Sequence, residues 1–294
     1  MTVRASPNPS SDQAAPADRT ADAGLPAGQA ADAAGAAGTL GKAAAEVRVT
    51  ALGKSFGSHQ VLTGIDLEIA PGQVLAVLGA SGSGKSTLLR AVAGLDPAST
   101  GEVTIDGLHV TGIDSRCAVA FQEPRLLPWR DLRGNVAIGL PRGLARSEGT
   151  RRVERLLDLV GLAPFAGHRP REVSGGMAQR ASLARALARN PGILLLDEPF
   201  GGLDALTRLK MQDLLLDVLA SAPTTVLLVT HDVDEALYLA DHVIVLGDTG
   251  SAGDGAGVVH TLAVEEARPR DRTSPGLVPL RADLFTCLGV DIHH

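Results

Sequence analysis

Four short runs, VLAVLG (74–79), ILLLD (193–197), TVLLVT (225–230) and VIVLG (243–247), are apolar at nearly every position. Continuous runs of this length suit strands covered on both faces, as in a parallel sheet flanked by helices. EVRVTALG, DLEIA and EVTIDG alternate apolar and polar residues instead, which predicts antiparallel strands with one wetter face. Between about Arg130 and Asn190 the strand patterns vanish. There TRRVERLLDLV and MAQRASLARALARN carry apolar residues at helical spacing, so a helical subdomain at about 130–190 is expected between two parts of the sheet. After Asp248 a Gly-rich turn precedes VVHTLAV, a charged linker and the amphipathic segment LRADLFTCLGV. No internal repeat is visible.

Residues 1–45 read differently. They are mostly Ala, Gly, Pro, Ser and Asp, and no Ile or aromatic residue occurs before Phe56. Such a segment buries too little apolar surface to offset its ordering entropy, which predicts a disordered tail at 1–45. The main domain is then expected at 46–250, with 251–294 as a C-terminal extension that completes it.

Charge and cysteine usage narrow the partners. With 27 basic and 33 acidic residues the net charge is −6, which argues against nucleic acid as a partner. The two cysteines, Cys117 and Cys287, stand in no metal-like or disulfide-framework spacing, as fits a reducing cytoplasm. No apolar run is long enough to cross a bilayer, so any link to a membrane is expected to run through a partner.

The strongest local signal is GASGSGKST, Gly79 to Thr87, which follows the strand pattern VLAVL and precedes the helical pattern TLLRAVAGL. It fits the P-loop pattern, in which glycines let backbone amides turn inward around phosphate oxygens at a helix N-terminus. Gly79, Ser81, Gly82, Gly84, Lys85, Ser86 and Thr87 are therefore candidate nucleotide-binding residues. Lys85 is expected at the β and γ phosphates, and the Ser86 hydroxyl on Mg²⁺. ILLLDEP places Asp197 at the carboxyl end of an apolar strand, where ligands lie in such sheets, and makes it a second Mg²⁺ residue. Glu198 follows at once, a carboxylate able to take the proton of a water attacking the γ phosphate.

With these residues in hand, the chain from about Glu46 onward resembles the ATP-binding cassette (ABC) ATPases. VSGGMAQR (173–180) looks like that family's signature motif, with Val173 for Leu and Met177 for the usual Gln. The resemblance implies an α/β P-loop fold: a RecA-like parallel core, an N-terminal antiparallel β subdomain and an inserted α-helical subdomain. It also implies that Ser174, Gly175 and Gly176 meet the γ phosphate of ATP held by a second copy, so that ATP joins a homodimer. Gln122 resembles the family's Q-loop glutamine, which senses Mg²⁺ and the attacking water, Asp204 in GGLDA its D-loop aspartate, and His231 in LLVTHD its switch histidine. Phe56 stands where the family carries an aromatic that stacks on adenine.

One cassette without fused membrane spans, coiled coils or zinc insertions is the expected form of a transporter subunit. FQEPRLLPWRDLRGNV and LDALTRLKMQDLLLDV closely resemble the ATP subunits of nitrate, sulfonate and taurine importers, and the run through VSGGMAQR and the tail are most similar to those of aliphatic sulfonate importers. The resemblance implies a peripheral protein on the cytoplasmic face of the membrane. Its partners would be integral membrane permease subunits and, indirectly, an extracytoplasmic solute-binding protein. A regulatory ATPase acting on a soluble partner is the reading from a different class. The stretch FQEPRLLPW, holding the only tryptophan, is read as Phe121 ending a core strand and Gln122 opening a loop. Trp129 then either meets the permease or packs the loop against the helical subdomain.

Overall fold

The computed structural model describes residues 43–250 and 255–290. Most of the expected tail and the last four residues lie outside the described residues. Ala45, assigned to that tail by composition, is instead buried, its carbonyl accepting from Thr225 Oγ1 at 2.6 Å.

Among the described residues a single ten-stranded sheet organises the fold. In chain order its strands are β1 (Val47–Phe56), β2 (His59–Ile69), β3 (Val74–Gly79), β4 (Thr100–Ile105), β5 (Leu108–His109), β6 (Cys117–Ala120), β7 (Ile193–Asp197), β8 (Thr225–Val229), β9 (His242–Asp248) and β10 (Ala256–Ala263). Across the sheet they lie β5-β4-β1-β2-β10-β9-β3-β8-β7-β6. The five strands from β9 to β6 are parallel, while β5, β4, β1 and β2 pair antiparallel. Between these halves β10 runs antiparallel to β9 and parallel to β2, so the segment after Asp248 is the strand that joins them.

The all-apolar strands have the environment their pattern requires. Val74, Ala76 and Leu78 of β3 join one core, whereas Leu75 and Val77 face the other, and β7 and β8 alternate in the same way. The second core is capped by α1 (Lys85–Val92) and continues under β1 and β2. The first is covered by α4 (Gly175–Ala188), α5 (Ala205–Ser221), α6 (Val233–Leu239) and α7 (Leu277–Cys287).

Between β6 and β7 stand α2 (Leu132–Ala137), α3 (Arg146–Leu159) and α4, which share a separate small core around Leu132, Val136, Leu157 and Ala181. No helix among the described residues is long and apolar enough to cross a membrane.

The supposed charged linker after β10 is a clasp. Arg270 is buried and donates to the carbonyls of Glu266, Leu237, Tyr238 and Val264 at 2.6–3.2 Å. Arg268 pairs with Asp241 at 2.9 Å. Arg272 lies 3.4 Å over the Tyr238 ring and pairs with Asp213 at 2.7 Å. Three arginines thus tie the C-terminal segment to α5, α6 and the turn before β9.

Candidate functional site

The carboxyl ends of the parallel strands converge on the loop between β3 and α1. Gly84, at φ 85°, turns the chain into α1, and a Cβ there would stand 2.5 Å from Leu62 Cδ2. At Gly79 a Cβ would meet the Leu246 carbonyl and Ser83 Oγ, each at 2.6 Å. Only glycine fits either position. Ser81 and Gly82 are exposed at the loop's tip, and Thr87 is half-buried in the first turn of α1.

Lys85, the first residue of α1, is buried and folds back on the loop, its Nζ donating to the carbonyls of Gly79 and Ala80 at 2.8 Å each. Burial lowers its pKa, against the opposing pull of the Glu198 and Asp197 charges. Ser86 Oγ donates to Asp197 Oδ1 at 2.9 Å, linking the start of α1 to the end of β7. Asp197 is pushed above the ordinary carboxylate range chiefly by burial and further by Glu198, with the Ser86 hydrogen bond and the Arg90 and Lys85 charges pulling it back. A hydroxyl and a carboxylate side by side, beside a lysine, suit a hard divalent cation with phosphate oxygens. Ser83 Oγ, buried without a hydrogen-bond partner among the described residues, adds a free hydroxyl inside the same loop.

Glu198 sits one residue past β7 with φ 46°, and its N–H donates to the Val229 carbonyl at 2.9 Å. The left-handed turn takes its side chain out of the strand's alternation. Glu198 Oε2 accepts from Gln122 Nε2 at 2.9 Å and lies 3.5 Å from His231 Nδ1. One carboxylate oxygen is therefore shared by residues that lie 76 positions before and 33 after it in sequence. Sequence-predicted Gln122, Glu198 and His231 form one group, and Lys85, Ser86 and Asp197 another beside it.

Other predicted residues lie apart from that cluster. Phe56, at the end of β1, is 51% exposed, with Lys54 Nζ 4.9 Å from its ring centre. Ser174 caps α4, accepting from the Met177 N–H at 3.2 Å, and Gly175 and Gly176 form that helix's first turn. Asp204 caps α5, accepting from the Thr207 N–H at 3.0 Å, an interaction that lowers its pKa. A Cβ on Gly176 would stand 3.0 Å from Leu203, so these two caps adjoin. Among the described residues no hydrogen bond or ion pair joins Ser174, Asp204 or Phe56 to the P-loop side chains.

The family of sequences described as ABC transporter matches residues 62–201. Over 240 residues the chain is 49% identical to the aliphatic sulfonates import ATP-binding protein SsuB 1 of Xanthomonas axonopodis pv. citri, covering 80% of this chain and 93% of that protein. The chain belongs to the ABC transporter family. A second relative, SsuB 1 of Streptomyces avermitilis, is 48% identical over 250 residues, 85% of this chain and 88% of that one. Among solved structures, the ATP-binding cassette MJ0796, in a dimeric post-hydrolysis state bound to ADP and Pi, aligns with a TM-score of 0.65 at 31% identity. That alignment covers 75% of this chain and 100% of that one. The fold is thus the α/β P-loop fold of an ABC ATPase.

Several residues of this ABC protein's site escape sequence reasoning. β6 ends at Ala120, not at Phe121. The Phe121 carbonyl accepts from Gln179 Nε2 at 3.2 Å, so α4 carries the start of the Gln122 loop. Arg185, also on α4, donates to the carbonyls of Pro124 and Arg125 at 2.8 Å. Fully buried Asn135 takes the Leu127 N–H at 2.7 Å and donates to the carbonyls of Leu127, Arg130 and Asp131. The loop is pinned along its length from beneath. Trp129, 68% exposed, has no part in that pinning.

Proposed function

We propose that this chain is the ATP-hydrolysing subunit of an importer for aliphatic sulfonates, working as an ATP-joined homodimer beneath a membrane permease. The carrying observation is the shared oxygen of Glu198, held between Gln122 and His231 beside the Lys85–Ser86–Asp197 group. That arrangement supports one reaction. Water attacks the γ phosphorus of ATP, the bond from phosphorus to the bridging oxygen breaks, and the water's proton passes to Glu198. Gln122 orients carboxylate and water, and His231 meets the γ phosphate side. Lys85 and the loop amides from Gly79 to Thr87 hold the phosphates. Mg²⁺, held by Ser86, Asp197 and Gln122, supplies positive charge to the phosphate oxygens when bound.

Phe56, 51% exposed, offers an aromatic ring for stacking on adenine. Ser174, Gly175 and Gly176 are an outward helix start suited to the phosphate of a partner's nucleotide, and Asp204 lies beside them for communication between copies. The substrate class rests on the two sulfonate-import relatives and on the likeness of RLLPW and its flanks to that group. The permease, on this reading, receives help from an extracytoplasmic solute-binding protein, with the ATPase on the cytoplasmic face.

Glu198→Gln tests the chemistry. It should retain ATP binding and form a dimer with ATP, while steady-state hydrolysis falls by about a thousandfold, on the scale of losing a proton acceptor together with its charge. Wild-type turnover in the purified variant would end the assignment. Deleting the gene and scoring growth on aliphatic sulfonates, taurine and nitrate as sole sulfur or nitrogen source tests the cargo. Purification without any permease would favour a soluble partner.

A further inference from the structure

A second constellation, sharing no residue with the nucleotide group, lies where α7 meets β10. His260 on β10 and Asp283 and Cys287 on α7 bring one donor atom each to within 4.8 Å of one another. Among the described residues it is the one group of three His, Cys or carboxylate side chains that does so. Asp283 and Cys287 are four residues apart, one turn of helix, and so project from the same face of α7. His260 follows a register shift between Val258 and His260 in the pairing with β9, and such a shift re-aims the next side chain. Its Nε2 lies 2.9 Å from Asp283 Oδ2.

A hydrogen bond between His260 and Asp283 needs no thiol. Cys287 completes a nitrogen, oxygen and sulfur set, and all three groups are reachable from water, at partial or full exposure. In a tetrahedral zinc site with ligands at about 2.0–2.3 Å, ligand atoms stand about 3.3–3.8 Å apart. The observed separations, from 2.9 Å to at most 4.8 Å, bracket that spacing and ask only for small side-chain rotations. Such a mixed set favours a borderline-soft divalent ion over Mg²⁺ or Ca²⁺, which take oxygen ligands.

We propose that His260, Asp283 and Cys287 form a binding site for a zinc-class divalent cation, with water completing the coordination, and that the ion fastens α7 to β10. The thiol gives up its proton to solvent on binding, and no redox change is involved. The site stands independently of the ATPase reading.

The test uses the full chain, untagged and reduced, titrated with Zn²⁺ by calorimetry in excess Mg²⁺, and separately with Co²⁺ followed by absorbance. The sequence ends in His293 and His294, themselves able to take metal, so His293→Ala/His294→Ala is run alongside. Expected are one Zn²⁺ per chain in both proteins, a thiolate-to-cobalt charge-transfer band, and a rise in melting temperature on adding Zn²⁺. His260→Ala and the milder Asp283→Asn should each weaken binding by about tenfold or more, and Cys287→Ser should remove the charge-transfer band. Folding of each variant is read from its unshifted melting temperature without metal. Three results would overturn the proposal: no stoichiometric Zn²⁺ on the wild type, unchanged affinity in folded His260→Ala, or loss of binding with His293→Ala/His294→Ala alone.

Discussion

Glu235 lies on α6, one turn after His231, and should make the stability of this protein depend on pH in a way one substitution removes. It is 4% exposed, with Oε2 3.4 Å from Gln212 Nε2 and Oε1 buried without a hydrogen-bond partner among the described residues. Burial pushes its carboxyl from 4.5 up to about 7, the nearby Asp232 charge adding to the rise while Thr230, Gln212 and Arg208 oppose it. A group that holds its proton more tightly when folded stabilises the fold fully below its unfolded pKa. That contribution is lost as pH rises through the folded value. At about 1.4 kcal/mol for each pH unit between the two values, the whole effect is about 3 kcal/mol, of which about 2–3 kcal/mol falls between pH 5 and pH 8.

Glu235→Gln keeps the shape and removes the titration. Urea unfolding at pH 5, 6, 7 and 8 should show the variant's advantage over wild type widening by that 2–3 kcal/mol toward alkaline pH, or about 5–10 °C in melting temperature. Other groups titrate alike in both proteins and cancel in the difference. Parallel curves for the two proteins across this range would refute the reasoning.

Three other outcomes follow from particular contacts. Trp129→Ala should leave the isolated protein's ATPase and melting temperature nearly unchanged while abolishing permease-stimulated hydrolysis in reconstituted vesicles, because the side chain is 68% exposed; an equal loss of stability would show that it packs. Arg270→Ala strands three buried carbonyls and one partly buried one and should cost about 3–5 kcal/mol, seen as a lower urea midpoint; a cost under about 1 kcal/mol would refute the clasp. Glu198→Gln should separate dimerisation from turnover, measured by sedimentation and phosphate release with ATP.

The sequence reveals most where local pattern and global environment agree. β3, β7 and β8 read as buried strands because both their faces are covered, and the alternation of β1, β2 and β4 follows from a sheet wetter on one side. The P-loop and Asp197 are legible because glycine spacing and a strand end fix their geometry locally. Arg268, Arg270 and Arg272 are illegible for the opposite reason. Charged residues after a strand have a linker's composition, and only the folded chain supplies the carbonyls, the Tyr238 ring and the carboxylates that receive them. Asn135 is hidden likewise, being one polar residue on a short helix whose four partners are backbone groups of the preceding loop and of α2's cap.

The left-handed backbone at Glu198 has a consequence for how this protein tolerates change. Most side chains pay for a positive φ, β-branched ones most, while Asn, Asp and Gly adopt it readily. A library saturating position 198 should therefore split into two classes by abundance. Gly and Asn variants should accumulate as folded, nucleotide-competent but inert subunits, able to pair with intact copies and occupy their permeases. Val and Ile variants should be scarce in the cell. The harmful alleles at this position are then the conformationally comfortable ones, because a dead subunit that folds poisons an assembly that an unfolded one never joins.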